Sequence, residues 1–278
     1  MKKNLYKPDF RLTPVHVILI LGGVYMLLPF AWMLLTSFKT PLEALRFPPT
    51  WLPEIWRFAN YPEVFQEISL FRYFLNTVFI TTVTLFGIFF TGILAAYAFA
   101  RIEFWGREVI FMSFLALMMI PLPVYLVPSY MILFNLGWID TYWAMIVPWM
   151  VNIFSIFMLR QHIKTLPQDL FDAAKIDGCS RFGTLWRVVV PLSKAPLIAI
   201  AVFNIISSWN SFFWPLIVTH SDSIRPIQVG LAYFSREQST NYTLLMAAST
   251  LTILPLVILF FFAQRHIIES YARSGLKE

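Results

Sequence analysis

Asp172-Ala173-Ala174-Lys175-Ile176-Asp177-Gly178, nine further residues, then Val188-Val189-Val190-Pro191: this stretch is a polar island between two long apolar runs. Its local chemistry reads as two short helices. Thr165-Leu166-Pro167-Gln168 has the form of a capping box, with a Thr N-cap, Pro in the first turn and Gln three residues on. Ala173 and Ala174 favour helix and leave little bulk, and Gly178 suits a helix C-terminus with positive φ. Ser180 is placed to cap a second helix through Phe182, Leu185 and Trp186, and Pro191 to stop it. A rigid, polar helix–turn–helix in so apolar a chain calls for a soluble partner that grips it.

The chain around the island is of the membrane class. Of its 278 residues 58% are hydrophobic and only 13% charged, whereas soluble domains carry about 25% charged residues. A span needs roughly 20 apolar residues. Charge-free runs at 14–36, 73–100, 109–134, 142–159, 195–219 and 243–263 predict six transmembrane helices. The third holds Pro121, Pro123 and Pro128 and is expected to be kinked or broken. The run after the basic stretch 1–13 is too long for a signal-peptide core and is read as a retained first helix.

Basic residues set the expected orientation. With the N-terminus inside, 15 of the 21 Lys and Arg fall on the inner side, which favours both termini and the island in the cytoplasm. The net charge of +6 is therefore a property of short inter-span loops and gives no reason to invoke nucleic acid. Residues 37–72 lie outside, with five prolines and Trp51, Trp56 and Tyr61, and read as an ordered periplasmic strap with aromatics at headgroup level. Gly87, Thr91, Gly92, Ala95, Ala96 and Ala100 give the second span a thin side for close helix approach.

Chemistry by the chain itself finds little support. A single cysteine, Cys179, excludes an internal disulfide. His16, His162, His220 and His266 are far apart and show no metal-ligand spacing, and no G-x-x-x-x-G-K-[ST] phosphate loop occurs. Asp140 and His220 look too isolated to form a catalytic cluster. The predicted spans contain no acidic residue, which argues against an ion-coupled carrier. A path across the membrane must then use neutral groups: Asn152, Asn204 and Asn210, with Trp209, Phe213 and Trp214, and more weakly Tyr125 and Asn76. The competing reading is that such amides only bond neighbouring helices and such Trp only anchor interfaces.

The island resembles the EAA loop of permease subunits of bacterial ABC importers: Glu-Ala-Ala, three residues, Gly, nine residues, Ile, one residue, Leu-Pro. The spacing matches throughout, with Asp172 for Glu, Val188 for Ile and Val190 for Leu. Asp177-Gly178, and Pro191-Leu192 followed by Pro196, are similar to the carbohydrate branch. The resemblance extends to Asn60-Tyr61, Val64-Phe65, Asn76-Thr77, Ala96 to Arg101, Leu136-Gly137, Thr141 to Ala144, Trp209-Asn210, Trp214-Pro215 and Gly275 to Lys277. It implies an all-α integral membrane protein with the type I ABC importer permease fold, like the smaller permease of maltose-type importers. It also implies that Asp172, Ala173, Ala174, Asp177, Gly178, Arg181 and Pro191 form or shape a coupling helix docked on a cytoplasmic ATPase dimer. No cofactor is expected on this chain; ATP and Mg would be bound by that ATPase. A second permease, an extracytoplasmic substrate-binding protein and the bilayer of a bacterial inner membrane complete the implied setting. The cargo is expected to be an oligosaccharide or related polyol, with glycerol-3-phosphate as the alternative. The tail 265–278 either touches the ATPase or frays.

Overall fold

The computed structural model describes residues 14–237 and 241–275, and these contain helices and no strand. Two compact units emerge, one comprising the described residues up to Glu67 with Glu237–Leu251, the other Ile68–Arg236 with the described residues from Thr252 on. The expected N-terminal stretch 1–13, residues 238–240 and 276–278, and the side chains of 236–237 and 265–275 lie outside the described set.

In the first unit, α1 (Pro14–Thr36) coincides with the expected first span. Its apolar stretch is not buried at all within the chain, so lipid or another protein must cover it. The strap after it is ordered, as expected, and it contains α2 (Pro41–Ala44) and α3 (Asn60–Glu67). Fully buried Asn60 donates through Nδ2 to the carbonyls of Ser37 (2.7 Å) and Lys39 (2.9 Å). Glu43 accepts from Thr50 Oγ1 (3.1 Å) and from the Glu54 amide (2.9 Å). Lys39 is buried, and its ammonium donates to the Thr50 carbonyl and lies 4.4 Å from the centre of the Trp32 ring. A buried lysine survives only with such partners. The ring of Phe38 sits 5.2–5.5 Å from those of Trp56, Phe58 and Tyr61.

The second unit is organised around α4 (Leu70–Arg101), a 32-residue helix whose ends extend past the expected span. A left-handed Gly106 leads into α5 (Arg107–Met118), which is followed by α6 (Leu122–Asn135). The two are bent by 103° at the proline-bearing break, as the prolines foretold. Next come α7 (Tyr142–Ile146), a 3-10 turn at Val147–Trp149 and α8 (Ile153–Thr165). The island supplies α9 (Gln168–Ile176), α10 (Arg181–Thr184), a π-helical stretch Leu185–Val189 and α11 (Val190–Leu192). Then follow α12 (Lys194–Trp209), α13 (Phe213–Val218), α14 (Ile227–Glu237) and α15 (Tyr242–Gly275), of which the part up to Leu251 belongs to the first unit.

Four helical segments are long and apolar enough to cross a membrane, and six if each bent pair counts as one span. The fifth span is not the continuous helix expected over 195–219. At 16 residues α12 falls short of a crossing; it bends by 76° from Arg181–Leu192 and gives way to non-helical chain before α13. The fourth run also continues beyond 159, to Thr165.

The thin side of α4 is filled by α8 and the chain leading into it. A Cβ on Gly87 would fall 2.3 Å from Met150 Cγ, and one on Gly92 would lie 3.8 Å from Leu159 Cδ1. Ala96 is fully buried, in a core that includes Ile88, Phe99, Phe111, Ile156, Leu159, Leu185, Val189 and Ile200. Leu185 and Val189 thus root the island's second helix in the core. A second cluster gathers Ile80, Leu133, Met145, Trp214 and Val218, where the Trp214 indole donates to the Ala144 carbonyl at 2.8 Å.

Candidate functional site

The island folds as a doubly capped turn. Gly178 has φ +76°, and its amide donates to the Lys175 carbonyl (3.1 Å) while the Cys179 amide reaches the Ala174 carbonyl (2.9 Å). These are the two bonds of a Schellman cap, and they need a residue at ease in the left-handed region at position 178. The next helix is capped by Ser180 Oγ, which accepts from the Gly183 amide at 3.1 Å. The expected capping box at Thr165 does not form. Thr165 is the last residue of α8, its hydroxyl donates back to the His162 carbonyl (2.7 Å), and Pro167 takes the N-cap position without a side-chain bond. Gln168 instead donates to Asp172 Oδ1 at 3.1 Å.

Only Ala174 of the seven singled-out island residues is buried; Asp172, Ala173, Asp177, Gly178, Arg181 and Pro191 are exposed. They share their surface with exposed Leu170, Ile176 (86% exposed), Phe182 and Trp186. The island therefore presents apolar side chains bordered by charge, held by a fixed backbone.

Two arginines that sequence reasoning left unassigned tie the island's base to the spans. Arg101, the last residue of α4, donates to the carbonyls of Ile163 (2.9 Å) and Leu166 (2.6 Å) and to Gln168 Oε1 (2.9 Å). Its guanidinium lies 4.0 Å from the centre of the Phe171 ring. The end of α4 is thereby bound to the turn from which α9 springs. Arg160, 3% exposed, donates to the Phe99 carbonyl (3.1 Å) and to both oxygens of Glu108 (2.6 Å each), and stacks 3.7 Å from Phe111.

Elsewhere in the second unit lies a cavity of about 390 Å³. Its wall includes non-helical backbone from two broken spans, Val151 and Asn152 between the 3-10 turn and α8, and Asn210, Ser211 and Phe212 between α12 and α13. Leu122, beside the α5–α6 break, lines it too. Unpaired backbone is tolerated at membrane depth only where it is buried in protein or faces a wet cavity. No charged residue or histidine is in the lining, which mixes hydroxyls and amides with Trp149, Phe213 and Trp214.

Asn152, Asn204, Asn210, Phe213 and Trp214 line this cavity together. Trp209 does not: it is buried, its indole donates to the Thr252 carbonyl (3.2 Å) and its ring packs edge-on against Phe74. Asn76 is a strut, donating to the Ser223 (3.0 Å) and Arg225 (2.9 Å) carbonyls and accepting from Tyr142 (2.7 Å). Tyr125 lies outside the lining. Sequence reasoning missed the hydroxyls of α4, where Thr77, Thr81 and Thr84 line the cavity at intervals of four and three residues, the spacing of one helix face. That repeat was a visible signal.

Asp140 meets His220 only through backbone. Its Oδ1 accepts from the amides of His220 (2.8 Å) and Ser221 (2.9 Å), and Ser221 Oγ donates to Oδ2. Partial burial raises its pKa, but these donors outweigh that and hold it below the ordinary carboxylate value. Among the described residues no group of three or more His, Cys, Asp or Glu could hold a metal ion.

Comparisons place this architecture among known proteins. AraQ, the arabinooligosaccharides transport system permease protein of Bacillus subtilis, is 33% identical over 271 residues, 96% of each chain. NgcG, the diacetylchitobiose uptake system permease protein of Streptomyces coelicolor, is 31% identical over 94% of this chain and 88% of its own. The fold is that of a chain in the crystal structure of a bacterial ABC transporter involved in the import of the acidic polysaccharide alginate. The TM-score is 0.81 at 23% identity, over 94% of this chain and 98% of that one. Residues 87–273 match the model of the binding-protein-dependent transport system inner membrane component, and the chain belongs to that family of multi-pass ABC importer permeases.

Proposed function

We propose that this chain forms half of the translocation path of an importer for a neutral oligosaccharide. Its island would receive the work of ATP hydrolysis from a partner ATPase dimer. The cargo reading is carried by the cavity: its lining offers hydroxyls, amides and aromatic faces and no charge, which suits a neutral sugar. Similarity to permeases named for arabinooligosaccharides and diacetylchitobiose supports it. An anionic cargo such as glycerol-3-phosphate would lack a countercharge there. Asn152, Asn204, Asn210, Phe213 and Trp214 are the path residues in this reading; Trp209 packs beside them.

The coupling role rests on the exposed, doubly capped island and on Arg101, which binds its base to α4. Closure of the ATPase dimer would displace a rigid island, and α4 would move with it. A second permease would complete the pore, an extracytoplasmic binding protein would deliver cargo, and both termini would be cytoplasmic, with residues 37–72 on the periplasmic side. The test is reconstitution with the ATPase, the second permease and the cognate binding protein. Stimulation of ATP hydrolysis and uptake by the binding protein loaded with arabinotriose is expected. Stimulation by a glycerol-3-phosphate-loaded protein alone would overturn the neutral-sugar reading. Asp177→Lys, an exposed charge reversal at the turn, should leave insertion intact and abolish uptake; normal uptake would remove the island from the coupling step.

A further inference from the structure

Five threonines lie along the stretch of α4 that runs from the cavity to the α8 junction, at 77, 81, 82, 84 and 91; Thr82 is exposed and the other four are wholly or partly buried. Three of those four have their hydroxyls committed. Thr77 donates to the Tyr73 carbonyl (2.9 Å) and accepts from the Ile227 amide (2.8 Å). Thr81 pairs with Ser208 at 2.9 Å. Thr91 bonds the carbonyls of Gly87 (2.9 Å) and Met150 (2.7 Å). The fourth, Thr84, is 5% exposed, lines the cavity, and its Oγ1 has no hydrogen-bond partner. Helical threonines ordinarily escape this by donating to the carbonyl four residues back, as Thr77, Thr91 and Thr250 do here. An isolated buried hydroxyl is unfavourable, so a group from outside the chain is the natural partner.

Asn152, on the same cavity, has spent only its oxygen: Oδ1 accepts from the Ser155 amide (2.8 Å) and hydroxyl (2.9 Å), which leaves the amide donors over. Thr84 lies near the middle of α4 and Asn152 at the break that precedes α8, so both are near the mid-depth of their spans. The volume of about 390 Å³ sits at the small end of the range for ligand sites, about 300–1,000 Å³, and suits one or two sugar rings rather than a whole chain.

We infer that Thr84 and Asn152 form a sugar-hydroxyl subsite in this subunit's cavity, reading a neutral ring during passage after the binding protein has released it. The inference rests on the oligosaccharide reading above and adds which groups bond the ring, the Thr84 hydroxyl and the Asn152 amide. Thr84→Val is close to isosteric and removes only the hydroxyl. In proteoliposomes containing the full transporter and arabinotriose-loaded binding protein, it should lower the maximal uptake rate roughly 3- to 10-fold, the worth of about one neutral hydrogen bond. The KM for loaded binding protein should be unchanged, because docking precedes the subsite. Thr84→Ser should restore the rate to within about twofold of the unaltered protein, as it keeps the donor. Asn152→Asp, which keeps the capping acceptor and removes the amide donors, should lower the rate as well.

Thermal unfolding separates this from a structural role. Replacing an unsatisfied buried hydroxyl with a methyl group leaves stability unchanged or higher, so the Tm of Thr84→Val should not fall. Uptake by Thr84→Val at the unaltered rate, a loss that Ser does not restore, or a loss accompanied by a lower Tm would each overturn the subsite and leave the oligosaccharide reading standing. Failure of the unaltered transporter to move arabinotriose at all would overturn that reading and the subsite with it.

Discussion

The island keeps its shape by bonds between near neighbours in the chain, whereas the cavity depends on groups brought together from five helices and two breaks. From Ala173 to Thr184 the bonds that fix the turn span at most five residues. At the cavity, Thr81 bonds Ser208, Thr77 bonds the Ile227 amide and Asn204 bonds Ser155. Under the coupling role proposed above, the island gains from a rigidity that survives movement of the spans. A part that opens and closes gains from bonds between separate spans, because these can be exchanged as the spans move.

If that contrast is correct, breaking the island should detach the drive without disturbing the cavity. Gly178→Pro imposes φ near −65° where +76° is needed and removes the amide bonded to Lys175. We expect uptake to be abolished and co-purification with the ATPase to be lost, with the protein still inserted. Retained ATPase binding and uptake would show that the Schellman turn is not what the partner reads.

The same contrast explains how much could be read from the sequence. Gly178 and Ser180 announced their caps because the bonding groups are neighbours. Pro121 and its companions announced the α5–α6 break because proline lacks an amide and obstructs helix locally. The capping box at Thr165 failed although its residues are right: α8 continues to Thr165, and the hydroxyl turns back to His162. The break at Asn210–Phe212 carries no proline or glycine itself, and its local signals were the cap-type residues Asn210 and Ser211 and Pro215, whose ring obstructs the Ser211 carbonyl four residues back. Trp209 and Trp214 sit in the same run, and only the tertiary arrangement turns one towards Thr252 and places the other on the cavity.

A substitution beside the cavity, where Gly87 of α4 meets Met150, should give the reverse phenotype with a smaller effect. Gly87→Val would place its Cβ 2.3 Å from Met150 Cγ and 2.7 Å from Met150 Cβ. Rotation of the Met150 side chain cannot relieve the second contact, so the chain at 150–152 must shift. Overpacking of this kind costs about 1–3 kcal/mol. The expected outcome is a lower Tm and uptake reduced severalfold, with ATPase co-purification intact. Loss of the ATPase in this variant would mean that the two regions are not mechanically separable.

The smallest effect is expected where a long-range tie is made by an ionised group at partial exposure. Asp140 joins the chain before α7 to the chain after α13, through the amides of His220 and Ser221 and the Ser221 hydroxyl. Its own amide donates to the Val218 carbonyl (2.8 Å), and it holds φ +60°. Because these donors depress its pKa in the folded protein, the stabilisation is fully present above the ordinary carboxylate pKa of about 3.9. It is lost as pH falls through the lower folded value. Asp140→Asn removes the charge but retains one acceptor oxygen, so at pH 7 it should cost less than about 1 kcal/mol, as partly exposed charges do. The Tm difference between Asp140→Asn and the unaltered protein should shrink as pH falls from 5 towards 3 (values in the window of that carboxylate). A difference that stays constant over this range would show that the tie depends on shape rather than charge.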